Sequence, residues 1–169
     1  MLVTQDGSSW AAAGTPLPAN GSASGHYSGL TSNELEALGC ASSGPCTALG
    51  LYSDASNGSH VMMVTGAGSS WTAAEAPMPS GIFSYWTAGT PSQPQIVCPS
   101  TTFCVVAPGA LIPEVLINGQ GSAWTTAALP LESESTAYVG AAACASPSTC
   151  IAVGGTDGAD ALLEVGPGS

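Results

Sequence analysis

The chain has 169 residues and 11 carboxylates but no lysine and no arginine, giving a formal charge of −11. Soluble domains average about 25% charged residues, so roughly 40 would be ordinary at this length. With two histidines as the sole candidate cations, nothing neutralises phosphate, which argues against nucleic-acid binding, phosphorylated cofactors and adhesion to anionic membranes.

Hydrophobic residues make up 44% of the chain and the mean hydropathy is +0.30. That is too apolar for a disordered acidic tail. The apolar runs are short, as at 61–64 and 103–107. None approaches the ~18 residues that cross a bilayer. Met1-Leu2-Val3 carries no basic n-region and no long apolar h-region, so it does not read as a signal peptide.

The elements follow in chain order. Residues 1–4 and 8–13 read as short strands around Gly7-Ser8-Ser9-Trp10, with a proline exit at Pro16-Leu17-Pro18. The stretch 32–38 offers at most a turn or two of helix and suits a loop entering a strand equally well. Strands are expected at 35–40, 46–52, 60–65 and 69–75. They are separated by turns at 41–45, 54–59 and 66–68 that are rich in Ser, Gly, Pro and Asn. This is a four-stranded antiparallel meander. It recurs as 95–98, 104–107, 114–118 and 122–128, and a last copy stops after its third strand at 161–165. Residues 1–4 match that third strand.

The chain repeats itself. Gly7-Ser8-Ser9-Trp10, Gly68-Ser69-Ser70-Trp71 and Gly121-Ser122-Ala123-Trp124 are spaced by 61 and 53 residues. They alternate along the chain with Cys40/Cys46, Cys98/Cys104 and Cys144/Cys150, each pair enclosing five residues, at spacings of 58 and 46. Pro77-Met78-Pro79 and Leu129-Pro130 repeat the proline exit. Strict alternation of these signatures marks copies of one unit of about 50 residues. The expectation is a single repeat array over 1–169, with units near 1–30 (partial), 31–80, 92–130 and 136–169 (partial).

Local cysteine pairs are disulfides or metal ligands. Zinc favours two to four residues between paired cysteines and needs four donors. Five intervening residues and two histidines, His26 and His60, argue against a metal. Cysteines flanking a hairpin turn sit at facing positions, about 4.5–5.5 Å apart at Cβ, close to the reach of a disulfide. Three disulfides are therefore expected, and with them an oxidising compartment. No cofactor and no metal is expected.

Trp10, Trp71 and Trp124 recur once per unit and read as packing residues between neighbours. Trp86 breaks the repeat. It lies in Ile82-Phe83-Ser84-Tyr85-Trp86, inside a long Gly/Ser/Pro connection, and Tyr27 stands at a similar place earlier in the chain. Tyr27, Tyr85 and Trp86 are the candidate ligand-binding residues, since loop aromatics serve recognition; a loop folded back to cap a core is the alternative. His26 and His60 lie in polar, glycine-rich stretches and read as solvated. Glu34/Glu36 and Glu132/Glu134 read as solubilising loop charge. Asp157-Gly158-Ala159-Asp160 is a hairpin turn whose two carboxylates fall short of the six to eight oxygens that calcium takes.

The cadence Cys-x5-Cys-x-Ala-x-Gly, seen at Cys46-Thr47-Ala48-Leu49-Gly50 and Cys150-Ile151-Ala152-Val153-Gly154, then an apolar strand and Gly-Ser-Ser-Trp-Thr, resembles a secreted bacterial repeat common in actinobacteria. It is similar to the sialidase-like, or Asp-box, class of β-propeller. Thr4-Gln5-Asp6-Gly7-Ser8-Ser9-Trp10 is one residue short of an Asp-box, and Ala67 and Gln120 replace Asp6 in the other copies. The resemblance implies four-stranded blades around an axis. It carries over no catalytic residue, because sialidases hold the substrate carboxylate with arginines and this chain has none.

The fold class expected is all-β: repeated four-stranded antiparallel meanders, as a partial or oligomer-completed β-propeller, with a β-trefoil as the alternative. The function expected is a non-catalytic, secreted or extracellular module for binding or scaffolding. A carbohydrate-binding module and a fragment of a secreted glycoside hydrolase-like propeller are the alternatives. The partner classes are a glycan, a protein surface, or further copies of the chain that complete a ring. An all-acidic chain loses its self-repulsion near its pI of about 4.1. Turbidity should therefore rise sharply as the pH falls from 7 to 4, and a flat trace would contradict this.

Overall fold

In the computed structural model the described residues are 1–6, 8–23, 33–78, 93–109, 115–128, 137–156 and 159–165. They form thirteen strands in four antiparallel sheets, and no helix occurs among them. A hairpin pairs β1 (Leu2–Asp6) with β2 (Ser9–Ala13). The second sheet runs β3 (Glu34–Cys40), β4 (Cys46–Ser53), β5 (Ser59–Ala67), β6 (Ser70–Glu75). The third repeats it as β7 (Gln95–Ser100), β8 (Phe103–Ala107), β9 (Val115–Gln120) and β10 (Ala123–Ala128). The fourth has β11 (Ala137–Ser146), β12 (Thr149–Thr156) and β13 (Ala159–Val165).

The expected meanders are present, with bounds shifted by a residue or two. The helical option at 32–38 gives way to β3, where Leu35 packs with Ala48 and Met62. Tertiary burial overrides the weak local signal. The expected disulfides form within the hairpins: Cys40–Cys46, Cys98–Cys104 and Cys144–Cys150.

The sheets stack face to face, and each central sheet buries both of its faces. In β5, Val61 and Met63 pack toward β7–β10, while Met62 and Val64 pack toward the β1–β2 hairpin. In β8, Cys104 and Val106 face the second sheet, while Val105 and Ala107 face the fourth. In β9, Val115 and Ile117 alternate with Leu116 in the same way. The period of two along a strand thus splits each apolar run between two interfaces. The first strand of each unit lies beside the first strand of the next, β3 against β7 and β7 against β11.

The Gly-x-x-Trp signature has a geometric cause. Gly68 and Gly121 hold φ of 56° and 63° in the turn, a region that favours glycine. Their carbonyls accept the indole N–H of Trp71 at 2.9 Å and of Trp124 at 2.8 Å. Across the strand pair Gly66 faces Trp71 and Gly119 faces Trp124, and a Cβ at either glycine would collide with the tryptophan strand. The indole then leans toward the preceding sheet. Trp124 is buried there and Trp71 is half-buried, whereas Trp10 is 68% exposed.

The hairpin β1–β2 forms its own sheet and is not paired with β11–β13. Leu2 anchors it on the second sheet.

Burial sets the expected stability costs. Trp124→Ala should cost about 3–5 kcal/mol, as deletion of a buried aromatic does, and Trp10→Ala at most about 0.5 kcal/mol in the monomer. Urea denaturation of the two variants checks this ordering, and equal losses would contradict it.

Candidate functional site

One cluster breaks the repeat, where β4 turns into β5. Asp54 follows β4 and folds its side chain back over the turn. Its Oδ1 accepts the backbone N–H of Ser56 at 2.8 Å and of Gly58 at 2.7 Å. Asn57 takes a φ of 63°, a conformation asparagine tolerates, and the backbone N–H of Asp54 closes the loop on the Gly58 carbonyl at 3.0 Å. The turn thereby aims Asp54 Oδ2 at His60 Nε2, 3.0 Å away.

His60 lies in β5, where the strand at 60–65 is expected, but it is held by partners on both ring nitrogens rather than solvated. Its ring stacks on Tyr52 of β4, with centroids 5.1 Å apart. Its other nitrogen, Nδ1, is 2.9 Å from Glu75 Oε1 at the end of β6. Glu75 Oε2 accepts the amide of Asn20 at 3.0 Å, and Asn20 Oδ1 accepts the Tyr52 hydroxyl at 2.9 Å. The network therefore reaches from the β4–β5 turn to the segment after the hairpin. That segment is further tied by the Gly21–Asp54 bridge and by Ser22, whose N–H donates to the Ser53 carbonyl at 2.8 Å. Asn33 completes the tie, donating to Ser22 and accepting the Ser53 N–H.

Electrostatics follow the geometry. Backbone N–H from Gly58, the bond to His60 and the N–H of Ser56 hold the Asp54 carboxyl below its ordinary range. Burial pushes the Tyr52 hydroxyl well above its ordinary value, and the Glu75 and Asp54 charges add to this against the Asn20 bond. Tyr52 therefore stays a neutral donor. Both His60 contacts act as hydrogen bonds only when both ring nitrogens carry hydrogen, because carboxylates only accept. Both ring nitrogens of His60 are thus engaged by carboxylates. The arrangement is a clasp.

Position explains why the repeat does not copy it. Six residues past the second cysteine stands Tyr52, but Thr156 in the fourth sheet. Four residues past the tryptophan stands Glu75, but Ala128 in the third. Glu34 and Glu36, read as loop charge, both lie in β3. Burial, then the neighbouring Glu34 charge and its hydrogen bond, raise the Glu36 carboxyl above its ordinary value.

Tyr27, Tyr85 and Trp86 lie outside the described residues, as do His26, Glu132, Glu134, Asp157 and Gly158. The site residues that sequence reasoning missed are Asn20, Tyr52, Asp54 and Glu75. The departure from the repeat at 52 and 75 was the available signal. Among the described residues, no group of three or more His, Cys, Asp or Glu is placed to hold a metal, and no helix is long and apolar enough to cross a membrane. No protein-family model matches the chain, and comparison with curated proteins and with solved structures finds no match.

Asp54 gives the clasp a pH dependence. Its folded carboxyl titrates below the ordinary value of about 3.9, so its contribution is complete above that value and is lost as pH falls through the folded one. Thermal melts of wild type and Asp54→Ala should show a gap at about pH 5 that narrows below about pH 4. A gap that widens in acid would contradict this.

Proposed function

We propose that the chain is a non-catalytic, extracellular module of the β-propeller type, built to present a surface for binding or scaffolding. One observation carries the reading: the residues that repeat are structural and the reactive ones do not repeat. Cysteine pairs and Gly-x-x-Trp motifs each recur three times; the cysteines close hairpins, and Gly68 with Trp71 and Gly121 with Trp124 serve turns and packing. His60, the histidine among the described residues, is spent on the clasp.

Three hairpin disulfides fit an oxidising compartment. Four-stranded antiparallel sheets stacked face to face, with first strands adjacent, fit propeller blades more closely than trefoil repeats. The propeller is thus the finer reading of an all-β stack.

The carbohydrate reading keeps one specific support. Tyr85 and Trp86 form an aromatic pair in a connection that has no aromatic equivalent between β10 and β11 apart from Tyr138 at the strand itself. Sugar faces stack on such rings.

The test has two arms. Chromogenic glycosides and sialosides should show no turnover above buffer. Turnover lost in His60→Ala with the fold intact would sink the non-catalytic reading. On a glycan array, binding that disappears in Trp86→Ala would name the ligand class as carbohydrate, and an array without hits would leave a protein surface as the partner.

A further inference from the structure

Among the described residues, each end of the stack carries exposed large hydrophobics. A rule of position explains this. Each unit points one set of residues at the preceding sheet and the alternate set at the following sheet.

The set aimed backward includes the tryptophan and the residue seven before it. Trp124 and Ile117 pack on the second sheet, and Trp71 and Val64 pack on the hairpin side. In the hairpin the same positions are Trp10 and Val3. They share one face, opposite Leu2, and are 68% and 48% exposed. Leu38 faces the same way, as the cross-strand partner of Ala48. Its counterparts Ile96 and Ala142 are packed, whereas Leu38 is 61% exposed.

The set aimed forward includes the residues one and three past the second cysteine. Thr47 and Leu49 are buried toward the third sheet, with the Thr47 hydroxyl 3.8 Å from the Cys104 sulfur. Val105 and Ala107 are buried toward the fourth. In β12 the same positions are Ile151 and Val153, opposite Cys150 and Ala152, and they are 45% and 43% exposed.

Five of the six large hydrophobics exposed among the described residues are therefore interface residues without a neighbour; Met1 is the sixth. Here the outer faces carry the same residue types as the inner ones. The two end faces are the two halves of an interface that the chain already makes twice. They do not meet each other within the chain, since all of these residues remain exposed.

We propose that a second copy of this chain docks head to tail, its β11–β13 face with Ile151 and Val153 covering the hairpin face of Trp10 and Val3. The contact continues the internal sheet-to-sheet interface and is heterologous, so it closes into a ring where the rotation allows. The proposal goes beyond the module reading and does not depend on a ligand. Glycan or turnover results leave it standing.

Sedimentation velocity of the full, disulfide-intact chain at pH 7 tests it. Each copy carries a charge of −11, so the runs use physiological salt to screen repulsion. The wild type should rise above its 16.4 kDa monomer mass with concentration. A hairpin-face variant (Val3→Thr with Trp10→Ser) and a β12-face variant (Ile151→Thr with Val153→Thr) should each stay monomeric. Mixed in equal amounts, they should form a dimer, because each retains the half the other lacks. A wild type that stays monomeric overturns the proposal and points to a unit of other sequence as the occupant. Association unchanged in both variants overturns it too, as does a mixture of folded variants that stays monomeric. Near-ultraviolet circular dichroism verifies the fold of each variant, and the wild-type mass decides even where a variant fails to fold.

Discussion

Burial of both faces of every central sheet is the constraint on which this structure rests. An antiparallel sheet commonly keeps one face in water. Here β4, β5, β8 and β9 must supply apolar side chains in both directions, so adjacent residues belong to different cores. The disulfides serve this arrangement twice. Each closes a short hairpin loop, worth roughly 2 kcal/mol in the loop-entropy account. Cys104 and Cys150 are also buried members of the inter-sheet cores.

Much of this was legible because turns and period-two runs are local. The cysteine pairs located the first hairpin of each unit, and Asn57, Gly68 and Gly121 marked turns that the backbone takes with positive φ. The run Val61-Met62-Met63-Val64 announced a buried strand but did not say that alternate members serve different neighbours. That distinction needs the order of the sheets. Trp10, Trp71 and Trp124 looked equivalent, and in local geometry Trp71 and Trp124 are. Their burial differs because exposure depends on what the preceding unit provides.

The clasp was not legible for a different reason. Its members come from the segment after β2, from the β4–β5 turn and from β6, and Asn20 and Glu75 are 55 residues apart. Nothing local marks Asn20 as the partner of both Glu75 and Tyr52. His60 looked solvated because its neighbours in sequence are serine, glycine and asparagine. Its neighbours in space are an aromatic ring and two carboxylates. A residue type that departs from the repeat is the sequence trace of such a cluster, and it shows only once the units have been aligned.

The missing lysine and arginine shape what remains. Without them a carboxylate must find neutral donors. Asp54 takes backbone N–H groups of its own turn, and Glu75 takes an asparagine amide. At Glu36, part-buried beside Glu34, burial and the neighbouring charge make the carboxyl harder to ionise. The same deficit governs association. Two copies of an all-acidic chain repel at long range, so charge cannot steer them together. Register and affinity then fall to shape and apolar area, the two properties that the sheet faces repeat from unit to unit. A chain that solves its internal packing by copying one interface therefore has, on its end faces, the one kind of complementarity its composition permits.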